Sequence, residues 1–388
     1  MRLSVCLLMF GIALLFAAPT NADRDIVFSA QFYRWSKHYH RDSDDSTRER
    51  TLDDVGQWHI YRINPDGTGL TRITNGRFDD SNPKWSPNGQ EILFTRGRKG
   101  SDDPVHLMLV GPEGQNSKTF ATFRGREIEY FRYEWSPSGH QIAIHYQDGG
   151  YSAPTNHMLR LDSRSGRKLK TLNADDFSWS PDGRSIYLSK SNGDSILDLA
   201  GGKTRKLGRT VIRPVWVRRH LVAGFKHKNE PDASMVDRTH LRLLDVNSSS
   251  TSDVPFIDQR EDHSPLGYGP YNHSWYLLYS EALLALESEY GISDGAHYNT
   301  YIVNCNSGFW KHVIEGPTVA VSPDGRRLLV TTHQWVGPYK RGGRRCGPLE
   351  IVDAVTLKRR KITTNLVTIG GGDWRGKRRR TMSSYSFR

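Results

Sequence analysis

Acidic side chains recur at one kind of place in this sequence, shortly before a large apolar residue that opens a turn. Asp79 and Asp80 precede Trp85, Glu127 and Glu129 precede Trp135, and Asp175 and Asp176 precede Trp179. Arg213 stands before Trp216 and Glu315 before Val321. Asp80, Glu129, Asp175, Asp176, Arg213 and Glu315 are therefore the candidate binding residues. Carboxylates gathered at a narrow opening attract cations, so such a set suits a metal ion or a basic peptide. The same residue types also serve as solvated loop acids and turn caps. No catalytic residue, bound metal or cofactor is expected; a cation on the axis is the one ligand of that kind the acids would suit.

Signatures of catalysis do not occur in the sequence. It has no Gly-x-Ser-x-Gly elbow, no His-Glu-x-x-His pair and no Gly-rich phosphate loop. The enzymatic alternative is a metal-assisted lyase or hydrolase acting on acidic polysaccharide. It would draw on His263, His273, His297 and His333 with nearby acids, and their spacing is not diagnostic of a metal site. The run Asn64-Pro65-Asp66-Gly67-Thr68-Gly69 has the residue types of a calcium loop but lacks the Glu an EF-hand needs, and it reads as a hairpin turn.

Residues 340–388 hold 14 Lys and Arg against Glu350, Asp353 and Asp373, which accounts for almost all of the formal charge of +12. That segment suits either an anionic envelope surface or acidic polysaccharide, or a charged outer edge that resists strand-to-strand association. Nucleic acid is not an expected partner.

The elements that would carry these side chains are repeats. Trp85-Ser86-Pro87-Asn88-Gly89, Trp135-Ser136-Pro137-Ser138-Gly139, Trp179-Ser180-Pro181-Asp182-Gly183 and Val321-Ser322-Pro323-Asp324-Gly325 each precede a short apolar run. Trp216 and Trp374 are fainter echoes. In each motif Ser caps the turn, Pro presets φ and Gly accepts the positive φ that closes it; the apolar run is a buried strand. The interval from Trp85 to Trp374 divides into six steps of about 48 residues, the length of a propeller blade. Ile26–Ala30 matches the strand that elsewhere follows the Trp turn, while Trp374 has a turn and no complete unit after it. Pairing the two ends completes one composite unit and closes a ring. The expectation is an all-β propeller of seven four-stranded blades, with six as the alternative because residues 216–320 are poorly periodic.

Residues 60–74, followed by Pro83-Lys84-Trp85-Ser86-Pro87-Asn88-Gly89, resemble the WD40-like (PD40) propeller repeat of TolB-like proteins. The resemblance implies an exported propeller that binds other proteins of the cell envelope. It does not extend to a separate N-terminal α/β domain, since blade strands start at Ile26.

Arg2, the apolar stretch from Leu3 to Phe16 and the small residues Thr20-Asn21-Ala22 have the form of a cleaved secretory leader. This divides the chain into a signal peptide, residues 1–22, and one propeller domain, residues 23–388, expected to be a periplasmic or secreted monomer with no membrane span after cleavage. Cys6 leaves with the leader; Cys305 and Cys346 are either bridged or two separate thiols.

Overall fold

In a computed structural model the described residues are 25–39, 48–54, 57–97, 103–124, 130–148, 155–190, 192–208, 211–218, 220–227, 236–255, 273–277, 283–292, 295–307, 309–332, 334–336, 344–363 and 367–376. The expected leader, Glu129, His263, His333 and the run Lys377–Arg380 lie outside them. Among the described residues every regular element is a strand, and no helix is long and apolar enough to cross a membrane.

The described strands pair into seven sheets of four or five strands and one two-stranded ribbon, all antiparallel. The Trp-led motif explains the sheet pattern. Asp80–Trp85 runs into the turn Ser86–Gly89, and the chain returns as Ile92–Arg96, with Trp85 opposite Ile92. Ser86 Oγ donates to Asn88 Oδ1 at 2.7 Å and accepts from the Glu91 N–H at 2.9 Å, so the turn is capped from inside. Gly89, Gly139, Gly183 and Gly325 all have φ between 67° and 75°, the left-handed conformation their turns require. Two further strands, Val105–Val110 and Lys118–Phe123, complete the sheet, and the last is mostly solvent-facing.

The ring closes through the chain ends. Val367–Trp374 pairs with Ile26–Tyr39, with Trp374 opposite Ile26 and Gly372 opposite Phe28, and Ile26–Tyr39 in turn pairs with His59–Ile63. Trp374 and Ile26 share one sheet, as the repeat count requires.

The core lies between sheets. Phe28, Ile63, Leu329, Leu349 and Trp374 pack where the last sheet meets the closing one. Val27, Trp85 and Phe94 fill the next junction, and Leu107, Tyr133 and Ile144 the one after it. Equivalent clusters form around Phe177 and Trp179, Tyr187 and Trp216, Phe225 and Val303, and Ala285 and Leu328. Each cluster joins two sequential sheets, and the one around Phe28 joins last to first. Among the described residues no sheet is left to end the array, which is how a propeller manages its edges. Cys305 is buried in one of these clusters, and the side chain of Cys346 lies outside the description.

Candidate functional site: the rim of the inner strands

Each sheet presents its first strand to the middle of the ring, and the rim is set by where side chains fall on those strands. Counting three residues back from Trp374, Trp85, Trp135, Trp179 and Trp216 gives Gly371, Asn82, Arg132, Asp176 and Arg213. Two of these, Asn82 and Arg213, have left-handed backbones, φ 53° and 54°, and Gly371 has φ 131°. The ladder shifts register beside both Asn82 and Arg213, between Ser81 and Lys84 and between Ile212 and Val215. A bulge of this kind re-aims a side chain at a barrel rim. Pro83 and Pro214, which follow, have no N–H to give the ladder. A left-handed arginine is costly, and strain of this sort collects at binding positions.

Arg132 links two sheets. It donates to Glu134 on its own strand at 2.7 Å and to Asp176 on the next, and its guanidinium lies 4.7 Å from the centre of the Phe177 ring. Asp176 is buried and also accepts the Phe177 N–H at 2.8 Å. Asp80 is fully enclosed, held by Arg96 through two bonds of 2.7 and 2.9 Å. Its neighbour Asp79 takes the Trp58 N–H at 3.1 Å. Phe78, half exposed, sits 5.6 Å from the Arg96 guanidinium.

Two residues before the closing turn, Asp373 reaches across a junction. It accepts the Trp85 N–H at 2.7 Å and the Trp374 N–H at 2.9 Å. Removal from water pushes its carboxyl above the ordinary carboxylate range; Lys84 and the two N–H donors oppose the rise and Glu134 adds to it. Ser178 Oγ occupies the matching place three junctions on and accepts the Trp216 N–H at 3.0 Å.

The candidate residues therefore do not share one environment. Asp176 joins Arg132 and Glu134, whereas Asp80 stands five residues before its tryptophan and is paired within its own sheet. Asp175 is partly buried, with its N–H on the Ser189 carbonyl at 2.8 Å. Arg213 is partly buried at its bulge, and Glu315 is exposed at the end of the outer strand Trp310–Glu315. Among the described residues no group of three His, Cys, Asp or Glu is placed to hold a metal ion, and the side chains of His273 and His297 lie outside the description. Arg132, Glu134 and Asn82 were missed from sequence. Counting from the tryptophan rather than from the nearest acid would have found them.

The basic segment is taken apart by the fold. Arg359 binds Glu350 at 2.8 Å and Arg360 the Pro65 carbonyl at 2.5 Å, both on the outer edge. Arg375 instead stacks 4.8 Å from the Trp85 ring and bonds Asp25 and the Gly89 carbonyl. Arg344 and Arg345 lie on a third element, the ribbon Gln334–Val336 with Arg344–Cys346.

Residues 42–212 match the profile of the TolB beta propeller domain, PD40. These are TolB-type repeats. An uncharacterized protein of Agrobacterium fabrum is 30% identical over 94 residues, 23% of this chain and 32% of that protein. The Tol-Pal system protein TolB of Rhizorhabdus wittichii is 37% identical over 67 residues, 17% of this chain and 15% of that protein. The chain thus spans a third or less of the relatives it matches. A putative 6-phosphogluconolactonase from Bacteroides uniformis superposes with a TM-score of 0.53 at 9% identity, over 91% of this chain and 99% of that one. That likeness is one of fold.

Proposed function

We propose that this chain is an exported, non-catalytic binding scaffold of the cell envelope that takes a protein or peptide at the mouth of the ring. The reading rests on one observation. At the same place on successive inner strands the side chain changes from Asn82 to Arg132 to Asp176 to Arg213, while the strands and turns behind them repeat. A scaffold that is uniform behind and varied at the rim is suited to recognition. Along the shared position Arg132, Asp176 and Arg213 alternate in sign, which is complementary to a polypeptide carrying both signs. The domain is the single unit 23–388, released by cleavage before Asp23.

Capture of envelope proteins by the immobilised mature chain tests this. Arg132→Ala and Arg213→Ala are expected to lose the captured partner, while Lys361→Ala on the outer edge keeps it. Unchanged capture by both rim variants would remove the mouth from consideration. N-terminal sequencing of exported protein checks the expected start at Asp23.

A further inference from the structure

The closing sheet carries a hairpin that leaves the ring. Its strand Ile26–Tyr39 has 14 residues, and the inner strand pairs with it only as far as Phe32, opposite Val367. From Tyr33 onward it pairs with Arg48–Asp54, without a break, from Tyr33 opposite Asp54 to Tyr39 opposite Arg48. Val367 begins the inner strand, so the hairpin continues beyond that beginning, on the mouth side of the ring.

Register sorts its residues. Successive strand positions alternate between faces, and partners directly opposite share a face. One face therefore collects Tyr33, Trp35 and Tyr39 with Lys37, Arg48 and Arg50, together with Leu52 and Asp54. The opposite face has Arg34 opposite Asp53, Ser36 opposite Thr51 and His38 opposite Glu49. Three aromatic and three cationic positions thus fall on one side of a narrow two-stranded ribbon, against Arg34 and His38 on the other, each of which is opposite an acid. Positions on one face recur about every 7 Å along a strand. The neighbouring sheet sends out its own ribbon between Thr331 and Leu349, and there Trp335 is opposite Arg345, a second aromatic and cationic pair of positions on one face.

We propose that the Tyr33–Trp35–Tyr39 face of this hairpin is a docking site for an acidic polysaccharide, a chain of carboxylate-bearing sugar rings. Aromatic plates cover the apolar faces of sugar rings, and guanidinium and ammonium groups bind carboxylates through charge-assisted hydrogen bonds. Three cations against the single acid Asp54 leave that face net positive, which a neutral glycan would not match. A lipid surface calls for a broad aliphatic face, and Leu52 is the single aliphatic residue on this one. Nucleic acid shares the stacking and charge requirements, but the leader expected at residues 1–22 would carry the chain away from it. The hairpin positions share no residue with the rim set, so variants of each are made without altering the other.

The test uses the full mature chain with polygalacturonate as probe, followed by affinity electrophoresis at low and high salt. Dextran, oligothymidylate and vesicles containing phosphatidylglycerol are the controls. Polygalacturonate should bind, weaken with salt as exposed ion pairs do, and bind about tenfold more weakly to Trp35→Ala and to Arg48→Ala/Arg50→Ala, roughly 1.4 kcal/mol. Arg34→Ala, one position along on the opposite face, and Lys358→Ala/Lys361→Ala on the outer edge should bind as wild type. Thermal melts of all variants show whether the ring is intact. Should Trp35→Ala fail to fold, Trp35→Gln and the double arginine variant carry the test. Equal binding of dextran, tighter binding of oligothymidylate or vesicles, or equal losses in Arg34→Ala and Arg48→Ala would overturn the proposal.

Discussion

The junctions on either side of the closing sheet are built differently from those inside the repeat array. Within the array, turns nest. A methyl on Gly139 would stand 3.6 Å from Pro87 of the sheet before, and one on Gly183 3.4 Å from Pro137. Around the closing sheet, arginines and carboxylates supplement that contact: Arg327 lies 5.0 Å from the centre of the Trp374 ring, Arg375 lies over Trp85, and Asp373 crosses to the Trp85 N–H. One lesson follows. Interior junctions also carry polar contacts, such as Arg132 to Asp176, but there the order of the sheets follows from chain connectivity. By contrast, Asp373 and Arg375 of the closing sheet reach the Trp85 N–H and the Gly89 carbonyl, 288 and 286 residues away.

The sharpest way to break this contrast is Asp373→Ala. It leaves the N–H groups of Trp85 and Trp374 without their acceptor at the closure, at a cost of about 3 kcal/mol. Ser178→Ala removes one acceptor at an interior junction and should cost about 1 kcal/mol. Urea unfolding of the two variants compares them directly. Equal losses would mean that the closure is no more dependent on polar contacts than the interior.

A second comparison isolates packing from backbone strain. Gly166 and Gly202 occupy the same slot of the turn between the third and fourth strands of successive sheets, four residues after Asp162 and Asp198. A methyl on Gly166 would lie 2.5 Å from the Phe120 carbonyl oxygen of the preceding sheet, while one on Gly202 would meet nothing within 4 Å. Gly202→Ala should therefore cost only the left-handed penalty, about 1 kcal/mol, and Gly166→Ala about 3 kcal/mol once the displaced neighbour is included. Thermal melts of the pair decide it.

The carboxylates of the two regions respond to pH with opposite sign. Hydrogen bonds from Ser165 lower the Asp162 pKa, and those from Thr356 lower that of Asp353. Their stabilisation is complete above the ordinary carboxylate range and disappears as pH falls through the lowered folded values. Asp373 is raised, so its share is present at low pH and is lost as pH rises through its folded value. In melts, the gap between wild type and Asp162→Asn/Asp353→Asn should begin to narrow near about pH 4 and close only as pH falls through the lowered folded values. A gap that stays constant with pH would contradict the turn assignment.

Much of the scaffold was legible because turns fix residue types. The Ser-Pro-Asx-Gly run needs an internal cap and a left-handed fourth residue, and Ser180 to Asp182 at 2.7 Å with Gly183 at φ 69° supply both. The closing sheet was legible from the two incomplete units. The turn marked by Asp162, Asp198, Asp245 and Asp353 went unread because its left-handed slot holds Gly166, Gly202, Ser249 and Leu357 in turn. The rim was only partly legible. Asp176 and Arg213 fall in the shared position, but acids were counted by nearness to the tryptophan, and the bulges beside Asn82 and Arg213 shift which residue stands where. That Arg132 would reach Asp176 depends on the stagger between neighbouring sheets, which sequence spacing does not encode.

The smallest expected effect compares the two non-glycine residues in that left-handed slot. Ser249 has φ 60° and Leu357 φ 58°. Ser249 contributes an exposed hydrogen bond from Arg205 at 2.9 Å, and Arg205 also holds the Val246 carbonyl. Ser249→Gly therefore relieves backbone strain while giving up little, and should stabilise by about 0.5 kcal/mol after the added freedom of the unfolded chain is set against the gain. Leu357 packs against the cluster of Ile302, Leu328 and Val352 that joins two sheets. Leu357→Gly relieves the same strain but loses that contact, and should destabilise by about 1 kcal/mol. Opposite signs at one repeat position would show that the slot tolerates a side chain only where the side chain helps to seal a junction. Equal signs would mean that backbone strain alone governs the turn.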